Sequence, residues 1–186
     1  FVQREWIEEF NEGLIALSGA CEGDIGQALL GSNPQLAGAA AKKWQQVFGN
    51  RFYIDLQRLG RADDERYIHA SVALAEQLSI PVVATNTSCF MRREDFEAHE
   101  VRVCINDGRA LDDPRRPRKY TSEQYFKSAD EMAELFSDIP EALENSLAIA
   151  KRCSVHVELG KYWLPEYPIP EGETQESFFR AISHQG

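Results

Sequence analysis

The chain reads as an α/β protein with parallel strand pairing. Three observations predict this. "GLIALSGA", "RFYIDLQRLG" and "IPVVATN" are short runs rich in apolar, β-branched or aromatic residues and flanked by turn formers, as strands are. The stretches between them carry apolar residues at helical spacing. Strand, helix, strand, helix, strand with short connections implies parallel neighbours joined by helical crossovers, and so an open sheet or a barrel.

Taken in order, Trp6 to Phe10 form an amphipathic helix that ends at Asn11 and Gly13, and the glycine-bounded "GLIALSGA" is the first strand. "EGDIGQALLG" and, after Asn33-Pro34, "QLAGAAAKKWQQVFG" are helical; "RFYIDLQRLG" is the second strand. In "DDERYIHASVALAEQLS" Ile68, Val72, Leu74, Ala75 and Leu78 recur near helical spacing. "IPVVATN" is a continuous apolar run, as expected of a strand covered by helices on both faces. Beyond Asn86 the character changes. "REDFEAHEVRVCIND" is helical, with Phe96, His99, Val103 and Cys104 toward one side, and "GRALDDPRRPRKYTSEQY" is a charged, proline-bearing loop. "SADEMAELFSD" opens with a serine and an acidic first turn suited to an N-cap, and "PEALENSLAIAKRC" begins with Pro140, whose missing N–H costs nothing there. A tail rich in proline and aromatics, "VELGKYWLPEYPIPEGET", is extended, and "TQESFFRAISHQG" begins another helix. Because the chain starts at Phe1 inside a helical pattern and stops inside another, it is expected to be a piece of a longer polypeptide.

Composition narrows the function. The 186 residues are 43% hydrophobic and 27% charged, ordinary for one globular domain. A formal charge of −10 repels phosphate backbones, so direct DNA or RNA binding by this segment is not expected. Cys21, Cys89, Cys104 and Cys153 are widely spaced without a C-x-x-C pair, and no signal peptide precedes them, which predicts reduced thiols in the cytoplasm. No apolar run approaches the roughly 20 residues a membrane span requires.

Ligands of parallel α/β folds gather at the carboxyl ends of the strands, which singles out "SGACEGD", "LQRLGRADD" and "TNTSCF". Cys21 and Cys89 are the soft ligands there, yet free cysteine is more often a small buried hydrophobe, and that reading is taken for both. His69 in a helix and His156 in an expected strand read as partly buried, hydrogen-bonded histidines; His184 carries no signal. Asp63, Asp64 and Glu65 open a helix, where they favour its dipole rather than a metal. Arg115, Arg116, Arg118 and Lys119 read as a solvated loop or a protein contact. No Walker or dinucleotide glycine loop and no G-x-S-x-G elbow is present. Residue chemistry alone therefore gives an α/β domain without a visible reaction.

The segments "NEGLIALSG", "PVVATN", "DFEAHEVRVCINDG", "LDDPRRPRKYTSEQYFKS", "MAELFSDIPEALENSLAIAKRC" and "LGKYWLPEYPIP" together resemble, in order and over nearly the whole chain, the PHP (polymerase and histidinol phosphatase) domain of bacterial DNA polymerase III alpha subunits, most of all the gamma-proteobacterial type. The resemblance implies a distorted seven-stranded, TIM-like α/β barrel lacking its first strands here. Residues 1–160 would be the carboxyl-terminal part of the PHP domain, and residues 161–186 the start of the connection toward the polymerase core.

Family members with a metal centre carry A-T-N-D-x-H at the third strand, the Asp and His being ligands. This chain reads Ala84-Thr85-Asn86-Thr87-Ser88-Cys89, with Thr87 for the Asp and Cys89 for the His. Metal-binding relatives also place a cysteine where this chain has Ala20. A neutral hydroxyl cannot neutralise a divalent cation as a carboxylate does, so the resemblance implies a degenerate centre without metal, cofactor or catalytic residues. It further implies a structural role and docking of the proofreading exonuclease (epsilon) subunit. The parent chain would be a cytoplasmic DNA-directed DNA polymerase, a nucleotidyltransferase using Mg²⁺ at a site outside this segment. It would contact the sliding clamp, the clamp-loader tau subunit and DNA through other regions, and no membrane. The competing expectation is a working metal-dependent phosphoesterase, either a 3′–5′ exonuclease or a pyrophosphatase. A third is that the parent is an error-prone paralogue of the replicase.

Overall fold

The computed structural model describes residues 2–162 and 167–185, so part of the proline-rich tail lies outside the described residues. These fall into two compact units, Phe1–Cys153 and Ser154–Gly186.

The first unit is organised by β2 (Phe52–Leu56), the central strand of a three-stranded parallel sheet of order β1-β2-β3. All five residues of β2 are buried, as helices on both faces require. β1 (Ala16–Leu17) pairs Ala16 with Phe52 and Leu17 with Tyr53. β3 (Val82–Ala84) pairs Ile54 with Val82, Asp55 with Val83 and Leu56 with Ala84. β1 is much shorter than "GLIALSGA" suggests. Gly19 takes a left-handed φ of 77°, Ala20 follows at 48°, and the chain turns into a 3-10 segment, Ala20–Glu22.

Helices α1 (Arg4–Glu9), α2 (Asp24–Leu30), α3 (Pro34–Phe48) and α4 (Asp64–Leu78) precede β3. α3 starts as its sequence dictates: the Asn33 side chain accepts from the Leu36 N–H and Pro34 occupies the first turn. α4 buries Tyr67, Ile68, Ser71, Leu74 and Ala75, the three-and-four spacing of a core face. After β3 come α5 (Phe96–Asp107), α6 (Ala129–Leu135) and α7 (Pro140–Arg152). Ser128 and Glu131 form a reciprocal capping box at α6, the serine signal read from sequence.

α7 covers the edge of β3. Asn145 Nδ2 donates to the Val82 carbonyl (2.8 Å) and Ser146 Oγ to the Ala84 carbonyl (2.6 Å). Two side chains thus satisfy carbonyls that a further strand would otherwise take.

The loop expectation for residues 108–125 holds, but Arg116 departs from it. Its guanidinium is buried and paired with the equally buried Glu100 of α5. Among the described residues it is Arg115, Arg118 and Lys119 that stay exposed in this run, because Arg116 reaches back under the loop to anchor it. The second unit carries α8 (Gln175–Gln185), whose start is fixed by reciprocal bonds between Thr174 and Ser177, and the Tyr167 and Phe178 rings pack 6.0 Å apart. His156, expected in a strand, lies in exposed irregular chain. No helix among the described residues is long and apolar enough to cross a membrane.

Two glycines in helices give opposite expectations. A Cβ on Gly26 of α2 would overlap the Ala20 carbonyl oxygen, whereas one on Gly38 of α3 would meet only Leu74 Cδ1, at 3.9 Å. Gly26→Ala is therefore expected to destabilise by about 1–3 kcal/mol, and Gly38→Ala to stabilise by about 0.5–1 kcal/mol. Urea midpoints of the two variants check both signs.

Candidate functional site

The carboxyl ends of the three strands converge on Asp55. It sits in β2, 4% exposed, the one charged residue of a fully buried strand. Such a group must be paired or protonated. Here it is held by hydrogen bonds. Oδ1 accepts from Thr85 Oγ1 (2.6 Å) and Oδ2 from Gln57 Nε2 (3.0 Å). Burial pushes the Asp55 carboxyl above its ordinary range, and the Thr85 and Gln57 bonds partly offset that.

The network continues outward and closes on itself. Gln57 Nε2 also donates to Thr85 Oγ1 (3.0 Å), and Gln57 Oε1 accepts from Thr87 Oγ1 (3.1 Å). Ser18 Oγ, at the end of β1, accepts from the Asp55 N–H (2.9 Å), and Tyr67 of α4 donates its hydroxyl to the Asp55 carbonyl (2.6 Å). Burial pushes the Tyr67 hydroxyl up to about 12, so it remains a donor at neutral pH. All three strand ends are thereby tied together by neutral partners around one carboxylate.

The sequence-predicted positions lie around this network in different states. Thr87 is exposed and bound to Gln57. Cys89 is half-buried; its N–H donates to the Gln124 carbonyl (2.8 Å), and Gln124 Nε2 lies 3.6 Å from its sulfur. Burial raises the Cys89 thiol and pushes Cys21 up to about 11, which disfavours the thiolate a metal would need. Ala20 is buried. His99 packs edge-on against Tyr120 at 4.6 Å and beside Phe90 at 5.4 Å, in an aromatic cluster rather than at the strand ends. His69 is exposed, its Nδ1 2.8 Å from the Glu65 carbonyl.

The acidic run at the start of α4 splits into three tasks. Asp64 is buried and accepts from the Leu59 and Arg61 N–H groups, fixing the β2–α4 loop; Asp63 pairs with Arg66, and Glu65 with Arg58. Arg58 also pairs with Asp138, at 2.7 and 2.8 Å, and lies over the Phe136 ring, joining the end of β2 to the α6–α7 turn. The hydrogen bonds to Asp138 and Glu65 hold its guanidinium firmly protonated. Among the described residues no three His, Cys, Asp or Glu side chains are grouped to hold a metal ion. At the strand ends the Asp55 carboxylate is committed to neutral donors.

Sequence reasoning passes over Asp55, Gln57, Thr85 and Arg58. A signal for Asp55 exists in "FYIDL", where an aspartate interrupts a strand expected to be buried. The other three follow only once the strand ends are assembled in space.

The PHP domain family model matches residues 1–59, a span that includes both Ala20 and Asp55. Over its full length the chain is 56% identical to DNA polymerase III subunit alpha of Pseudomonas fluorescens and 49% identical to that of Vibrio cholerae, in each case covering 16% of the relative. It is 50% identical over 175 residues to that of Escherichia coli K12, with 94% of this chain and 15% of the relative covered. The chain thus matches the PHP domain family over its first 59 residues and is similar along its length to DNA polymerase III alpha subunits, and it spans about a sixth of the curated relatives it matches.

The raised Asp55 carboxyl fixes the sign of a pH effect. A carboxyl whose folded pKa lies above its unfolded value contributes stability below the unfolded pKa, and that contribution is lost as pH rises through the folded pKa. Asp55→Asn removes the titration, and a flipped Gln57 amide can still bond residue 55 and Thr87 while giving up its bond to Thr85 Oγ1. The stability of Asp55→Asn relative to the parent is thus expected to rise with pH from the acid range to neutrality, as measured by urea unfolding across a pH series.

Proposed function

We propose that this chain is a structural and docking segment of a replicative DNA polymerase III alpha subunit, its PHP metal centre degenerate at Thr87, Cys89 and Ala20. The observation that carries the reading is the closed neutral network around Asp55. Where a metal-dependent phosphoesterase needs several free anionic or imidazole ligands, this site has one carboxylate bound by an amide and a hydroxyl.

The three parallel strands are one part of the distorted seven-stranded PHP barrel, with further strands of the longer polypeptide joining at the outer edge of β1, where Leu14 and Leu17 are exposed. Residues 161–186 begin the connection toward the polymerase core. The parent is a cytoplasmic DNA-directed DNA polymerase whose Mg²⁺-dependent nucleotidyl transfer, DNA contacts, sliding-clamp contact and clamp-loader tau contact reside outside this segment. Identity of 50–56% along this chain to part of proteins bearing the alpha-subunit name supports that assignment.

The partner of this segment is the proofreading exonuclease (epsilon) subunit. An acidic surface suits protein contact better than a DNA groove. The loop from Arg109 to Tyr120 is the first candidate surface: Arg115 and Arg118 are exposed on it, while buried Arg116 holds its shape.

Titrating the exonuclease subunit into the full-length protein tests this. Arg115→Glu with Arg118→Glu is expected to weaken binding about tenfold without changing the melting temperature. Arg116→Ala, by contrast, lowers the melting temperature because it strands Glu100. Unchanged exonuclease affinity in the double reversal, and in reversals across the other exposed faces, would defeat the docking role.

A further inference from the structure

A groove on the first unit lies at the opposite ends of the strands from the Asp55 network. Its walls are the Val72, Ala75, Glu76 face of α4 with its cap residue Ser79, the chain entering β3 (Ile80–Val82), and Ile139 with Glu141 at the start of α7. The three α4 positions share one helical face by their three-and-four spacing. The groove encloses about 510 Å³, room for a few side chains. Its floor is apolar and deep, with Ala75, Ile80 and Val82 all buried.

The charge of the groove has one sign. Glu76 and Glu141 are the only ionisable side chains lining it, no Lys or Arg takes part, and neither glutamate is in an ion pair among the described residues. The carboxyl end of α4 adds the negative end of a 15-residue helix. An apolar floor beneath two free carboxylates and a helix carboxyl end favours one kind of guest: methylenes on Val72 and Ile139, with a cation held at the rim. Acidic and purely apolar guests each leave part of this lining unmatched.

We propose that this groove docks a basic, apolar-anchored polypeptide segment, with an arginine or lysine lying along the apolar floor and its cation between Glu76 and Glu141. This surface is separate from the Arg115 and Arg118 loop, which would attract the opposite charge, so the two proposals stand or fall independently.

The probe is a fluorescein-labelled Leu-Arg-Leu-Arg amide, compared with Leu-Gln-Leu-Gln and Leu-Glu-Leu-Glu amides by anisotropy at low ionic strength. The arginine peptide is expected to bind about fivefold more tightly than the glutamine peptide, the factor two half-exposed ion pairs supply. Hydrogen exchange should show protection confined to residues 72–82 and 139–141. Glu76→Gln with Glu141→Gln should abolish the preference; both side chains are exposed, so folding, checked by circular dichroism, should be unaffected. Equal affinity for the three peptides, protection elsewhere, or a preference that survives the double variant would overturn the proposal.

Discussion

The structure depends on the complete burial of β2. A parallel strand covered on both faces has nowhere to place a charge, yet β2 carries Asp55 at the level where its neighbours end. The fold meets this constraint by bringing hydrogen-bond partners from every side: Thr85 beyond β3 and Gln57 beyond β2 donate to the carboxylate, Tyr67 donates to the carbonyl of residue 55, and Ser18 accepts from its N–H. Those contacts set where α4 lies against the sheet and where the loops after each strand may go. They also consume much of the donor and acceptor capacity at the strand ends.

A second set of contacts carries this arrangement outward. Arg58 leaves the end of β2 and meets Glu65, Asp138 and the Phe136 ring, so α4 and the α6–α7 turn are positioned from the same strand. Asn145 and Ser146 then let α7 close the β3 edge. Edge closure, loop anchoring by the Glu100 and Arg116 pair, and the neutral strand-end network are all devices of shape. None of them positions a nucleophile or a free general base. On the proposed docking reading, the differently charged loop and groove are where partners would be read.

Local chemistry made most helices legible. Asn33-Pro34, Ser128 with Glu131, and Pro140 are signals that act within one turn, and α3, α6 and α7 begin where those residues place them. Strand extent was less legible because it is set by pairing partners: β1 stops where Gly19 and Ala20 turn the chain, although the apolar run before it is longer. Arg116 shows the same limit from the other direction. In sequence it is one of four cations in a loop; its burial depends on Glu100, sixteen residues away on α5. Thr87, Cys89 and Ala20 could be placed near the strand ends from sequence, but the Asp55 network could not, since Thr85 and Gln57 reach Asp55 only after β2 and β3 pair in register.

The central claim is that these strand ends are a structural hub without a metal. Elemental analysis of the full-length protein after dialysis against Zn²⁺ and Mn²⁺ tests it most directly. The account predicts less than about one tenth of a zinc or manganese ion per chain. Two or three tightly held ions per chain would contradict it and make the site a working phosphoesterase centre.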